Sequence, residues 1–327
     1  MKKIIKIGSL ALLAFIAVCG ISYMTDTTAY TNWEIVKEPG DSNTIAWTTF
    51  EWTSGELSGQ HFDKLSMNIP CKIDGYTNTF TFQFDLGASF TGVYENTFSS
   101  LFTQHPAAAN SIKRLKSRLQ FWNGNRYFEN FNLHFGKYTA INKIAHIFEG
   151  YGEKIAAFNN NDTIHLGTIG ADLFKNKVLL IDYPNMQFAI ADHIPNEYKN
   201  NLVDIETDKS GRVILPMKMR NKNYRIMFDN GSSIFPIITR AENISTYSTL
   251  PDMDTIQISS WGKVHGVTGK LITDTFELAG QKFSHVKVYA NHSGLGIDKE
   301  TDAMAGNALF WNKTIIIDFK NKKFGVK

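Results

Sequence analysis

The chain has 327 residues, 34 of them basic and 31 acidic, for a net charge of +3, with 43% hydrophobic and 13% aromatic residues. That length exceeds one ordinary domain and favours two domains or two equivalent halves with a sizeable core. The balanced charge, with no long lysine or arginine run beyond the N-terminus, argues against a nucleic-acid partner, and the hydrophobic content argues against disorder.

In chain order, residues 1–24, MKKIIKIGSLALLAFIAVCGISYM, carry a basic start and an apolar stretch over 7–23. The pattern predicts an export signal, with retention as a membrane anchor as the alternative. It implies a periplasmic or cell-envelope location and membrane contact through this segment alone. Residues 25–62 have no counterpart later in the chain and read as a covering strand or a spacer. From Ile69-Pro70 a strand, an Asp74-Gly75 turn and a second strand lead to FQFDLGASF at 82–90. The segment from Thr97 to Leu119 has helical periodicity. QFWNGNRY at 120–127 carries an Asn-Gly hairpin turn, and FNLHFGKY at 131–138 reads as strand, turn, strand. Short helical runs are expected after Gly170 and again after Gly306.

The chain then resembles itself. GADLFKNKVLLIDYPNMQFAI at 170–190 matches GNALFWNKTIIIDFKNKKFGV at 306–326 without a gap, at an offset of 306 − 170 = 136. FNLHFGKY matches FELAGQKF at 276–283, and the Ile69-Pro70 hairpin matches one that opens at Leu215-Pro216, turns at 221–223 and ends in RIMFDNGSSIF at 225–235. The repeats span 63–193 and 210–327, with a polar connection over 194–209. Strand-type composition dominates both, so the fold is expected to be all-β with few short helices.

Each repeat delivers an aspartate from the end of an apolar strand into a glycine turn: Asp85 before Gly87 and Ser89, Asp229 before Gly231, Ser232 and Ser233. Glycine lets such a loop approach a neighbour closely. Across a pseudo-two-fold axis the equivalent loops meet, and two carboxylates at that axis share a proton. A pair of that kind can deprotonate a water with one member and polarise a peptide carbonyl with the other. The bland alternative is two turn aspartates, the reading preferred for the matched pair Asp182 and Asp318, each between an apolar strand and an Asn turn.

The motifs resemble those of the bilobal pepsin-like and retropepsin-like aspartic proteases, across roughly 63–327. The resemblance implies two pseudo-symmetric six-stranded-type barrel lobes of the acid protease fold with a cleft between them. It implies Asp85 and Asp229 as the catalytic pair, with Gly87, Ser89, Gly231, Ser232 and Ser233 in the supporting loops. Gly170 and Gly306 would brace those loops from Thr168-Ile169-Gly170 and Met304-Ala305-Gly306. Trp122, Asn123, Gly124 and Tyr127 would belong to a flap over the substrate, with Ser260 to Lys263 as its partner in the second repeat. The residue after each aspartate, Thr or Ser in the family, is Leu86 in one repeat and Asn230 in the other.

The implied activity is endopeptidase hydrolysis of a peptide or protein substrate by a monomer. The rival is an inactive, protease-like peptide-binding protein. Nine scattered histidines with no His-x-His, His-Glu-x-x-His or Cys-x-x-Cys spacing give no metal site, no cofactor motif is found, and Ser89 lacks the Gly-x-Ser-x-Gly elbow of a serine hydrolase. Cys71 reads as a small buried hydrophobe.

Overall fold

The computed structural model describes residues 33–39, 44–104, 112–116, 123–156, 159, 162–260, 263–292, 297 and 299–327. The leader, Trp122 and Trp261 lie outside them. The protein is all-β, in three sheets, with two short α-helices among the described residues, Glu95–Gln104 and Ile244–Tyr247.

One sheet draws its strands from residues 34–169. Six of them follow one another around a ring: Tyr138–Phe148, Gly92–Tyr94, Thr163–Ile169, Thr79–Phe84, Gln60–Ile73 and Asn123–Phe135, the last pairing back to the first. Closure satisfies backbone groups that an open edge would leave bare. A second sheet, from residues 206–305, repeats the core of this order. Thr163–Ile169 runs parallel to Thr79–Phe84 and antiparallel to Gly92–Tyr94; Ala303–Ala305 runs parallel to Lys222–Phe228 and antiparallel to Ile237–Arg240. Buried aromatic side chains, among them Phe80, Phe82, Phe84, Phe131, Phe228 and Phe310, fill the interior.

A third sheet joins the two halves. Its central strands, Val178–Asp182 and Thr314–Asp318, pair antiparallel with Val178 opposite Asp318, Leu180 opposite Ile316 and Asp182 opposite Thr314. Leu180 and Ile316 are also equivalent in the repeat (316 − 180 = 136), so each half pairs with its own copy and the pseudo-two-fold axis passes through this contact. At both ends the hairpin aspartates serve their turns. Asp182 accepts from the Asn185 amide and side chain, and Asp318 from those of Asn321.

Three expectations need correction. The helix predicted over Thr97 to Leu119 is Glu95–Gln104, and its second part contains the strand Ile112–Lys116, where pairing with Asn123–Phe135 overrides local propensity. The connection over 194–209 is partly strand: Val203–Asp204 extends the joining sheet beside Lys323–Val326. The last part of the segment 25–62 does have a structural counterpart. Glu51–Leu57 pairs with Gln60–Ile73 just as the two-residue strand Glu206–Thr207 pairs with Val213–Met219. The boundary expected at 63 therefore falls inside a strand. The runs after Gly170 and Gly306 are 3-10 turns, Ala171–Phe174 and Asn307–Leu309. Cys71 is buried, its thiol donating to the Ile69 carbonyl at 3.3 Å.

Leu180 and Ile316 are fully buried in a small cluster with Val178 and Ala189. Leu180→Ala is expected to lower unfolding free energy by about 2–5 kcal/mol in urea titration, against less than about 0.5 kcal/mol for the exposed Met186→Ala.

Candidate active site

Asp85 and Asp229 each stand one residue past the end of a strand held in a parallel pair, and each is fixed by the strand beside it. The Asp85 amide donates to the Ile169 carbonyl at 3.0 Å and the Asp229 amide to the Ala305 carbonyl at 2.9 Å. The loops then fold back on their own carboxylates: Ala88 N–H donates to Asp85 Oδ1 at 2.9 Å, and Gly231 N–H to Asp229 Oδ1 at 2.8 Å. Carboxylates that take backbone N–H groups are held in one orientation.

The loops meet reciprocally. A Cβ on Gly87 would lie 2.5 Å from Asp229 Oδ2, and one on Gly231 would lie 2.6 Å from Asp85 Cγ. Only a residue without a side chain allows each carboxyl to rest over the opposite loop. The bracing glycines obey the same rule at the next layer, since a Cβ on Gly170 would sit 2.8 Å from the Ala88 carbonyl oxygen. A Cβ on Gly306 would collide with the Ser232 carbonyl.

The two carboxyls sit close enough to share a hydrogen bond and a proton. Burial, then the charge of Asp229 and then this bond hold Asp85 well above the usual carboxylate range. Burial raises Asp229 as well, but the bond from Asp85 and several backbone N–H groups pull it back. The pair therefore shares one proton, and its titration belongs to both carboxyls together. Asp229 is the more exposed of the two to the cleft.

Across the axis, Leu86 N–H donates to Asn230 Oδ1 at 2.5 Å, with both residues at 0% exposure. Asn230 is held in turn: its carbonyl accepts from Asn307 Nδ2 at 2.6 Å, and Asn307 Oδ1 accepts from the Tyr183 hydroxyl. The amide side chain thus ties the loops from one side, while Leu86 contributes its backbone alone. On the other flank Thr91 accepts from Gly170 N–H at 2.9 Å and donates to Asp172 Oδ1 at 2.7 Å, and Trp33 donates to Asp172 Oδ2 at 3.0 Å. Burial pushes the Asp172 carboxyl up to about 6.

A cleft of about 860 Å³ opens over the pair. Leu57, Leu65, Phe148, Ile234, Phe235 and Met304 give it apolar walls, and Gly87, Ser89, Gly231, Ser232 and Ser233 line its floor. Tyr94 also faces it, its hydroxyl 2.5 Å from Thr168 Oγ1. Burial, with a smaller effect from the Asp85 charge, pushes that phenol up to about 12.

The expected supporting residues divide. Ser89 and Ser233 both line the cleft, Ser233 almost fully buried in its floor with its hydroxyl 3.5 Å from the Asn230 carbonyl. The Ser232 amide serves the Asp229 loop, and its Oγ is buried with no hydrogen-bond partner among the described residues. Of the expected flap residues, Asn123 and Gly124 begin the strand Asn123–Phe135. Tyr127 is not among the described residues that line the cleft, because its strand position sets it opposite Lys113 and His146 and its hydroxyl lies 3.5 Å from Glu129. Asn307, Tyr183, Thr91, Asp172, Trp33 and Tyr94 were not anticipated. The signal available for Asn307 was its place directly after the bracing glycine.

No protein-family model matches the chain, and no curated protein does. Among solved structures, the aspartic proteinase from Irpex lacteus is similar over 86% of this chain and 97% of its own, with 10% identity and a TM-score of 0.46. The site described above rests on its own geometry.

Gly231→Ala is expected to drive the carboxyls apart, and the raised titration of Asp85, followed by carboxyl NMR or infrared difference spectra, should fall toward the ordinary range. Asn230→Ala strands the Leu86 amide and should lower stability by about 1–3 kcal/mol in thermal or urea unfolding, with Asn230→Thr retaining part of the difference.

Proposed function

We propose that the protein is an exported aspartic-type endopeptidase that hydrolyses peptide bonds between Asp85 and Asp229. The observation that carries this reading is the reciprocal seating of two buried carboxyls, each over the other loop's glycine and both raised by burial, on the floor of an apolar cleft. Asp229 takes a proton from a water as its oxygen attacks the scissile carbonyl carbon, while Asp85 gives its proton to the carbonyl oxygen. The tetrahedral diol then collapses: the C–N bond breaks, the leaving nitrogen receives the proton held by Asp229, and Asp85 recovers its own from the diol. No covalent intermediate is required. The apolar walls strengthen the electrostatics of both steps by limiting solvent.

A second reading, a peptide-binding protein without hydrolysis, has one observation in its favour. Of the two residues that follow the aspartates, Asn230 ties the loops through its side chain and Leu86 through its backbone only, and catalysis is sensitive to small misplacement of its groups.

Asp85→Asn and Asp229→Asn are each expected to lower kcat/KM on a peptide library by 10²-fold or more. Binding without turnover in the wild-type chain, seen with a statine-type inhibitor, would support the second reading. The pH profile should be a bell, falling on the acid side as Asp229 takes up a proton and on the alkaline side as Asp85 loses its own. Both limbs should be displaced above those of isolated carboxylates. Stability supplies an independent readout. The folded pKa of Asp85 is raised, so its contribution is fully present below the ordinary carboxylate range and is lost as pH rises through the folded value. Asp85→Asn removes that loss. Its Tm relative to the wild type should rise from pH 4 to pH 8, and a difference flat with pH would refute the assignment of the proton.

A further inference from the structure

A second cavity, of about 1020 Å³, adjoins the catalytic cleft, and Ser89, Phe90 and Arg212 line both. Its lining is strongly cationic. Lys175, Lys209, Lys299, Lys320 and Lys322 all contribute, are all exposed, and none forms an ion pair with a described residue. They come from separate places: the turn after Ala171–Phe174, the loop before Val213–Met219, the segment near 300, and the last hairpin. Lys320 also lies near enough to Asp192 to help hold that carboxyl low, but convergence of five ammonium groups on one concavity is repulsive unless something anionic occupies it, and such a concavity concentrates anions.

The acidic groups present do not cancel this charge. Asp208 is committed to its own loop, taking Arg212 Nε at 2.6 Å, Arg212 N–H at 3.0 Å and Ser210 N–H at 2.9 Å. That network neutralises Arg212 and holds the loop so that Lys209 projects from it. Asp172 is buried under the Thr91 and Trp33 donors. Glu300 is the one remaining carboxylate against five lysines.

Resting on the proteolytic reading above, we infer that the preferred substrates carry aspartate or glutamate residues on the side of the scissile bond that runs past Ser89 and Phe90 into this lysine-lined cavity. The shared lining favours a peptide over other anions, because a chain threaded through the cleft leaves it at Phe90 and Arg212. Each carboxylate placed there gains a partly exposed ion pair, which corresponds to roughly a 2–5-fold preference.

The test uses the full chain and three peptides with one apolar scissile core, flanked on one side by Glu-Glu, on the other side by Glu-Glu, or by Gln-Gln on both. One of the two acidic peptides should exceed the neutral one in kcat/KM by about 5–20-fold at low salt, with the ratio shrinking as salt screens the charges. In Lys175→Gln/Lys322→Gln that ratio should collapse toward one, whereas Lys218→Gln, on an exposed strand position away from the cavity, should keep it. Equal turnover of all three peptides would overturn the inference and leave proteolysis standing. Equal turnover together with lysine-dependent binding to phosphatidylglycerol vesicles would reassign the cavity to a lipid surface, which also overturns it. If no peptide is hydrolysed, the proteolytic reading fails by itself. Fluorescence anisotropy of the same labelled peptides then decides the inference: charge-selective binding lost in the double lysine variant upholds it, and indifferent binding or none overturns it.

Discussion

Two carboxyl groups, each resting on a glycine that belongs to the other half of the chain, set the terms for everything around them. Burying two carboxyls side by side is unfavourable unless they share a proton and accept further donors. The loops supply those donors from Ala88 and Gly231, and the bond between Asp85 and Asp229 supplies the sharing. Such an arrangement tolerates little relative movement of the two halves. The register of Leu180 opposite Ile316 prevents it: alternate residues of both central strands pack into two different clusters, and a slip of one residue would exchange them. The sheet far from the cleft is thus what keeps the carboxyls in contact.

Duplication built the scaffold symmetrically and then each half solved its local problem differently. Next to the bracing glycine one half places Ala171 and Asp172, and the other Asn307 and Ala308. Asp172 is engaged by Thr91 and Trp33, the latter contributed by the N-terminal segment; Asn307 is engaged by Tyr183, contributed by the opposite half. The same divergence reaches the tie between the loops. Leu86 buries an apolar side chain and offers only its N–H, so Asn230 must be held firmly to accept it, and the Asn307 and Tyr183 contacts do that. Unequal surroundings also leave two equivalent aspartates unequally open, with Asp85 buried and Asp229 the more exposed to the cleft.

Much of this was legible in the sequence because duplication writes the same constraints twice. The matched Leu-Phe, Ile-Asp and Asn positions at an offset of 136 correspond to the joining sheet and its turns, and the two Asp-x-Gly stretches to the meeting loops. What escaped has a common cause. Thr91 with Asp172, Tyr94 with Thr168, and Tyr183 with Asn307 are pairs 74 to 124 residues apart, and no local periodicity marks a contact made once in the whole chain. The cavity lysines are dispersed over 175–322 and each looks like an ordinary solvated charge. Propensity also misled over Thr97 to Leu119, where a strand is imposed by its neighbour.

The hairpin from Glu51–Leu57 into Gln60–Ile73 shows most clearly why local reading falls short. Its first strand is largely exposed and polar, with no apolar alternation of the kind a strand buried on one face displays. Its burial comes from the other half: Leu57 and Phe62 pack on the cluster of Ile214, Ile256 and Val267, and Ser58 Oγ accepts from Gln257 N–H at 2.8 Å. A bulge between Thr53 and Gly55 turns the hairpin, and Gly55 is small there because a Cβ would lie 2.9 Å from Leu65 Cδ1. Leu57 and Leu65 then form one wall of the cleft, facing Ile258 from the opposite half. An element that looked like a spacer thereby connects the two halves on the cleft side, as the joining sheet connects them behind it. With both connections in place, the width of the cleft follows from packing between halves, and the carboxyl pair and its walls form one mechanical unit.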